Sequence, residues 1–151
     1  MQAQKMNWLS RSKIIGNRSA VAALIIYGSI FVIDKNFPDK FDDCGMYTRS
    51  LKGGIKVLDG RKYNVVLCGT GGDENAMDDR IRLQIFSANG ELLAQRKFYV
   101  HWMMTNVRKE LAFSADHVTY YDNAQQSDFE HRISMPPTRW DWISARLPLL
   151  S

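Results

Sequence analysis

The short patterns that usually announce a chemistry are missing from this chain. It has no GxGxxG stretch and no glycine-rich loop ending in Gly-Lys-Ser/Thr, so nucleotide-phosphate binding has no sequence basis. It has no GxSxG nucleophile elbow, and Ser114, Asp116 and His117 stand too close together to encode a hydrolase triad by themselves. Its two cysteines, Cys44 and Cys68, do not form a CxxC pair, which removes zinc and thiol-redox readings. His101, His117 and His131 have no further metal-type ligand at diagnostic spacing. The expectation is a protein that is not an enzyme, with no catalytic residue, metal or cofactor.

Acidic residues are also missing, from the whole of the first 33 positions. Lys5, Arg11, Lys13 and Arg18 stand there instead, and between Ser19 and Ile33 no residue is charged. Those uncharged positions cover roughly 22 Å as a helix, and starting at Ile14 with Arg18 snorkelling lengthens the span to roughly 30 Å, a bilayer core. Residues 14–33 therefore read as a transmembrane anchor. A buried helix in a soluble core and a cleaved signal peptide are the alternatives. The first needs a larger protein around it, and the second lacks a small-x-small cleavage pattern after Ile33. Basic residues before the span, with Asp34, Asp39, Asp42 and Asp43 after it, place the N-terminus in the cytoplasm. The remainder then lies across the inner membrane, in the periplasm of a Gram-negative cell.

The formal net charge is +4, which the four basic residues before the span account for. The rest of the chain is near neutral, with bases and acids interleaved, so nucleic acid is not an expected partner and no small-molecule substrate is evident. The divisions are a basic tail at 1–13, the anchor at 14–33, a linker at 34–47 and one domain at 48–151. Outside the cytoplasm, an even cysteine count points to a Cys44–Cys68 disulfide worth about 3 kcal/mol, with two free thiols as the alternative.

Alternation dominates the domain. Asp59-Gly60 sits between runs at 55–58 and 62–68 as a hairpin signal. The run GTGGDENAMDD at 69–79 lacks EF-hand spacing and reads as a long loop whose Asp73 and Glu74 are candidate partner contacts. RIRLQIFSANGELLAQRKFYV is the clearest hairpin, and a two-residue type I′ turn at Asn89-Gly90 fixes its register. Ile85 then faces Ala94, Leu83 faces Arg96 and Ile81 faces Phe98 on the core side. On the other side Arg82 faces Lys97 beside Gln84, Gln95, Phe86, Leu93 and Tyr99. Like charges across a ladder weaken it unless acid lies near, either within the chain or on a partner. Arg82, Lys97 and Tyr99 are the other candidate contacts. Short strands come next near 111–113, 117–121 and 129–135, and Pro136-Pro137 ends the last. Thr138 is a plausible N-cap with Asp141 three positions on, for a helix carrying Trp140, Ile143 and Leu147 on one side against the sheet. The expected fold is α+β: an N-terminal transmembrane helix, then a mostly antiparallel sheet with a C-terminal helix.

The blocks SMPPTRWDWISARLPLL and DDRIRLQIFSANGELLAQRKFYV resemble small single-span proteins of Gram-negative bacteria that pair a basic tail and one span with a β-rich outer domain. Such proteins are often immunity proteins of secreted antibacterial toxins, including those delivered by type VI secretion. The resemblance implies a membrane-tethered inhibitor of a cognate toxin and transfers no site residues. The alternative is a structural or accessory subunit of an envelope complex, with Gly28 and Ser29 as a point of close helix approach.

Overall fold

A computed structural model describes residues 21, 24–26, 28–29, 40–71, 78–101, 109–124 and 129–147. The chain divides into two compact units, Met1–Pro38 and Asp39–Ser151. In the first, Val21, Leu24, Ile25, Ile26, Gly28 and Ser29 are helical, the four aliphatic side chains are exposed, and Ser29 Oγ donates to the Ile25 carbonyl at 2.8 Å. Among the described residues no helix is long and apolar enough to cross a membrane. The rest of the 14–33 span lies outside the described residues.

The second unit is α+β with antiparallel sheets and a C-terminal helix. Helix α1 is Cys44–Ser50; strands β1 Gly54–Leu58, β2 Arg61–Gly69, β3 Asp78–Ser87 and β4 Leu92–His101 come after it. They form one antiparallel sheet in the order β1-β2-β3-β4. Strands β5 Ala112–Phe113, β6 His117–Tyr121 and β7 Glu130–Ser134 form a second antiparallel sheet rather than extending the first, and helix α2 is Arg139–Ser144. Alternation explains the layering. Val65, Leu67, Ile81, Leu83, Ile85, Ala94, Phe98 and Val100 all point to one face and are buried, against Val118, Tyr120 and Ile133 of the second sheet. Phe98 and Tyr120 meet with ring centroids 5.1 Å apart.

The two hairpin turns differ from each other. Asp59 and Gly60 both have positive φ, 47° and 69°, and join Leu58 to Arg61 as a two-residue loop. At the second hairpin Gly90 N–H donates to the Ser87 carbonyl at 3.0 Å and Ser87 N–H to the Glu91 carbonyl at 2.8 Å, which makes a three-residue loop. Only Gly90 of the Asn89-Gly90 pair has positive φ, so the expected type I′ turn is absent. The longer loop shifts the pairing by one residue, and a bulge next to Ile85/Phe86 shifts it back. Ile85–Ala94, Leu83–Arg96, Arg82–Lys97 and Ile81–Phe98 therefore pair as the sequence implies.

The start of the unit is ordered where a linker is expected. Cys44 to Tyr47, within the 34–47 stretch, already belong to α1, and Asp42 bridges to Gly69. The Cys44–Cys68 disulfide is present. The Tyr47 ring lies so close over Gly69 that any Cβ there would overlap it. Tyr47 is buried, and its hydroxyl donates to Asp79 Oδ2 at 2.6 Å. Burial, then the hydrogen bond and charge of Asp79, push the Tyr47 phenol well above its ordinary value. A raised folded pKa means this contribution to stability is whole below about pH 10 and is lost as pH climbs further. Tyr47→Phe is expected to cost about 1–3 kcal/mol in urea unfolding at neutral pH and to flatten the alkaline decline. An unchanged midpoint and the same alkaline slope would show that the Tyr47–Asp79 bond does not hold α1 to the sheet.

Candidate functional site

The face of the four-stranded sheet opposite the core is polar in its middle and apolar toward β1. Arg82 lies directly across from Lys97, Arg80 across from Tyr99, and Gln84 donates through Nε2 to Gln95 Oε1 at 2.8 Å. The Arg82 guanidinium sits 4.6 Å above the Phe41 ring, and that of Arg80 is 5.9 Å from the Tyr99 ring centre. Tyr99 is held at the backbone: its N–H donates to Asp122 Oδ1 at 3.0 Å, and its carbonyl accepts from Asn123 N–H at 2.8 Å. Toward β1 the same face presents Ile55 and Val57, 64% and 68% exposed, and a hollow of about 380 Å³ beside Ile55, Asn64 and Phe86.

The structure thus brings Arg82, Lys97 and Tyr99 onto one face. Asp73 and Glu74 lie outside the described residues. Asp78 and Asp79, expected in the same loop, begin β3 instead, and Asp79 turns inward to Tyr47. Phe41 and Arg80 join the face unforeseen. Arg80 is the next outward position in the alternation after Arg82, so its signal was present; Phe41 arrives through the Asp42–Gly69 bridge, which no local pattern encodes.

The C-terminal helix departs most from expectation. Its cap is as expected: the Thr138 side chain accepts from Asp141 N–H, and the Asp141 carboxylate accepts from Thr138 N–H. Yet Asp141, Ser144 and Ala145 are the residues it buries, while Trp140, Trp142 and Ile143 are 62%, 40% and 40% exposed. The expected packing of Trp140 and Ile143 on the sheet is therefore corrected. The cause is Arg96, which occupies a core-face position across from Leu83. Its guanidinium pairs with Asp141 and donates to Ser144 Oγ at 3.3 Å, so the helix turns its polar side inward. Outside, Trp142 Nε1 donates to Glu91 Oε1 at 2.7 Å, and the Arg146 guanidinium stacks 3.7 Å from the Trp142 ring. A hollow of about 480 Å³ opens between Leu93, Pro137, Trp142 and Ile143.

Burial alone would raise the Asp141 pKa, but the hydrogen bonds from Thr138 and the Arg96 guanidinium outweigh it and hold the carboxyl below the usual carboxylate range. A depressed folded pKa makes the pair's contribution whole above about pH 4 and lost as pH falls through the lowered value. Asp141→Asn is expected to destabilise the unit by about 2–3 kcal/mol at neutral pH and to remove that acid-limb loss, read by tryptophan fluorescence during unfolding. Wild-type stability in the variant would show that another contact docks the helix.

The histidines do not converge. His117 Nδ1 lies 2.7 Å from Asp116 Oδ1, His131 stacks on Tyr120, and His101 ends β4. Among the described residues no three metal-type side chains gather in one place. No family model matches the chain, and no curated protein or solved structure is detectably similar to it.

Proposed function

We propose that this chain is a membrane-tethered binding protein of the periplasm that neutralises a cognate antibacterial toxin. The observation that carries the reading is the outward sheet face. Two cations, Arg82 and Lys97, stand side by side beside the exposed ring of Tyr99, with apolar Ile55 and Val57 on the same face. Aromatic and arginine side chains around an apolar patch are the composition of protein interfaces rather than of catalytic clefts.

Two further features agree with the location. The 14–33 stretch is long enough to span a bilayer from a basic N-terminal flank, which orients the second unit to the periplasm. The Cys44–Cys68 disulfide suits an oxidising compartment. Tethering raises the effective concentration of an inhibitor at the surface its toxin must reach.

The test is rescue. The toxin candidate encoded beside this chain is sent to the periplasm of cells with and without the full-length protein. Protection is expected, is expected to survive exchange of residues 1–33 for a foreign anchor, and is expected to fail with Arg82→Glu/Lys97→Glu at equal protein level. No protection against any neighbouring product, with the protein stably made, would overturn the reading in favour of an envelope subunit.

A further inference from the structure

We infer that the open edge of the four-stranded sheet, strand β1, docks a second copy of this chain. The two β1 strands pair antiparallel about a two-fold axis at Lys56, so that two sheets become one. This goes beyond the binding-protein reading above and does not depend on it.

The two edges of the sheet are finished differently. Along β4 the outward backbone groups are taken. Tyr99 N–H donates to Asp122 Oδ1 at 3.0 Å, the Tyr99 carbonyl accepts from Asn123 N–H at 2.8 Å, and the Gln95 carbonyl accepts from Arg96 Nη1 at 2.7 Å. Strand β1 has no such cover. The two-residue turn at Asp59-Gly60 makes Leu58 and Arg61 a hydrogen-bonded pair, so Leu58, Lys56 and Gly54 direct their N–H and C=O groups to β2. Those of Ile55 and Val57 point off the edge, and among the described residues none bonds to them there. Both side chains are exposed as well. An edge that leaves backbone unpaired and β-branched side chains uncovered is a template for another strand.

Register selects the copy. One two-fold antiparallel register sets Ile55 against Val57 of the second copy and Val57 against its Ile55, and each pair exchanges both N–H···O bonds. Centring on Ile55 instead brings Val57 against Gly53, whose N–H already donates to the Thr48 carbonyl at 2.7 Å. Centring on Val57 brings Ile55 against Asp59, which is in the turn. In the first register the aliphatic side chains of both copies lie together on the outer face. Lys62 and Asn64, across from Val57 and Ile55 on β2, border them on each side. The hollow of about 380 Å³ beside Ile55 and Phe86 adjoins that row.

Charge fits the same pairing. A cation, Lys52, precedes β1 and an anion, Asp59, comes after it, and both are exposed. Antiparallel pairing places each Asp59 opposite Gly53 of the other copy, within reach of its Lys52. That ammonium already holds Glu110 at 2.5 Å and has donors to spare. The cost lies at the axis, where Lys56 meets Lys56. Each of these ammoniums is drawn to the inner side of its own sheet, 4.6 Å from the Phe113 ring centre. A foreign strand can meet the same backbone groups, but the copy supplies the matched aliphatic pairs and the opposite charges from residues already present. With five residues on each side the contact falls well short of the roughly 1,600 Å² of a standard interface, so the dimer is reversible. The two-fold uses up both edges and closes the pairing against further strands.

The experiment is copper–phenanthroline oxidation of the purified full-length chain carrying one added cysteine, read as covalent dimer on non-reducing gels. At the axis the two Lys56 residues form a non-hydrogen-bonded pair with Cα atoms about 4.5 Å apart, inside the range that a disulfide spans. Lys56→Cys is therefore expected to dimerise about tenfold faster or more than Lys62→Cys, an exposed position one strand further in. Adding Val57→Lys, a change of an exposed edge side chain, is expected to bring Lys56→Cys down to the Lys62→Cys rate with the urea midpoint unchanged. Lys56→Cys pairing no faster than Lys62→Cys would overturn the inference. So would Ile55→Cys pairing faster than Lys56→Cys, because the axis would then lie elsewhere. The rescue test keeps this inference apart from the binding-protein reading. Protection lost in Val57→Lys, with no covalent dimer from Lys56→Cys, would give the edge to a strand of the toxin and overturn a second copy. Failed rescue with fast Lys56→Cys pairing would remove the toxin and support the dimer.

Discussion

A guanidinium on the inner side of a sheet has to be answered by an acid, and in this domain that requirement sets the orientation of the C-terminal helix. Arg96 alternates with Ala94 and Phe98 along β4 and so faces the core. Leaving such a charge uncompensated costs about 3–5 kcal/mol when its partner is removed. Turning the helix to bury the exposed part of Trp140 would remove on the order of 100 Å² of apolar surface from water, about 2–3 kcal/mol. The two magnitudes are comparable, and the capping hydrogen bonds between Asp141 and Thr138 add to the inward orientation. Asp141 serves twice, as the second half of the capping box and as the counter-charge, so the rotation of the helix and its start are fixed by one side chain.

The opposite end of the sheet is closed by different physics. There α1 is stapled by Cys44–Cys68, laid over Gly69 by the Tyr47 ring and tied to β3 by the Tyr47–Asp79 hydrogen bond. A helix of seven residues has little stability of its own and persists because of these tertiary contacts. The glycine is required by proximity, since no side chain fits under the ring. Gly53 has the same role beside Leu67 and Val65, where the chain turns from α1 into β1.

These two ends explain what the sequence disclosed and what it withheld. Strand identity, the pairing of β3 with β4, the Asp59-Gly60 turn and the capping box are encoded within a few residues, so periodicity and turn chemistry reach them, while the disulfide joins positions 24 apart and is reached by the even cysteine count alone. The split into two sheets is not local: β5–β7 could extend the first sheet equally well by alternation alone, and the packing of Val118, Tyr120 and Ile133 against the core face, with Phe98 on Tyr120, is a long-range contact that alternation does not encode. Helix α1 is hard to reach by periodicity because it is only seven residues long and buries just Tyr47 and, at its C-cap, Leu51. The inverted α2 was foreshadowed, since an arginine at a core-face position of a clean alternation is a demand for a distant acid. Reading Arg96 that way would have singled out Asp141 and turned the tryptophans outward. Of the candidate contacts, Arg82, Lys97 and Tyr99 were within reach because strand register alone puts them on one face.

The same inversion decides which apolar side chains the domain buries. Arg96 faces inward and its charge is met by Asp141, so Trp140, Trp142 and Ile143 stand on the outer side of α2 instead of on the sheet. Arg82 lies on the opposite face of the same sheet, across from Lys97, and makes no such demand on the core. One arginine at an inward position of the alternation is therefore enough to turn a short helix over, because its charge can be answered only by an acid that another element brings.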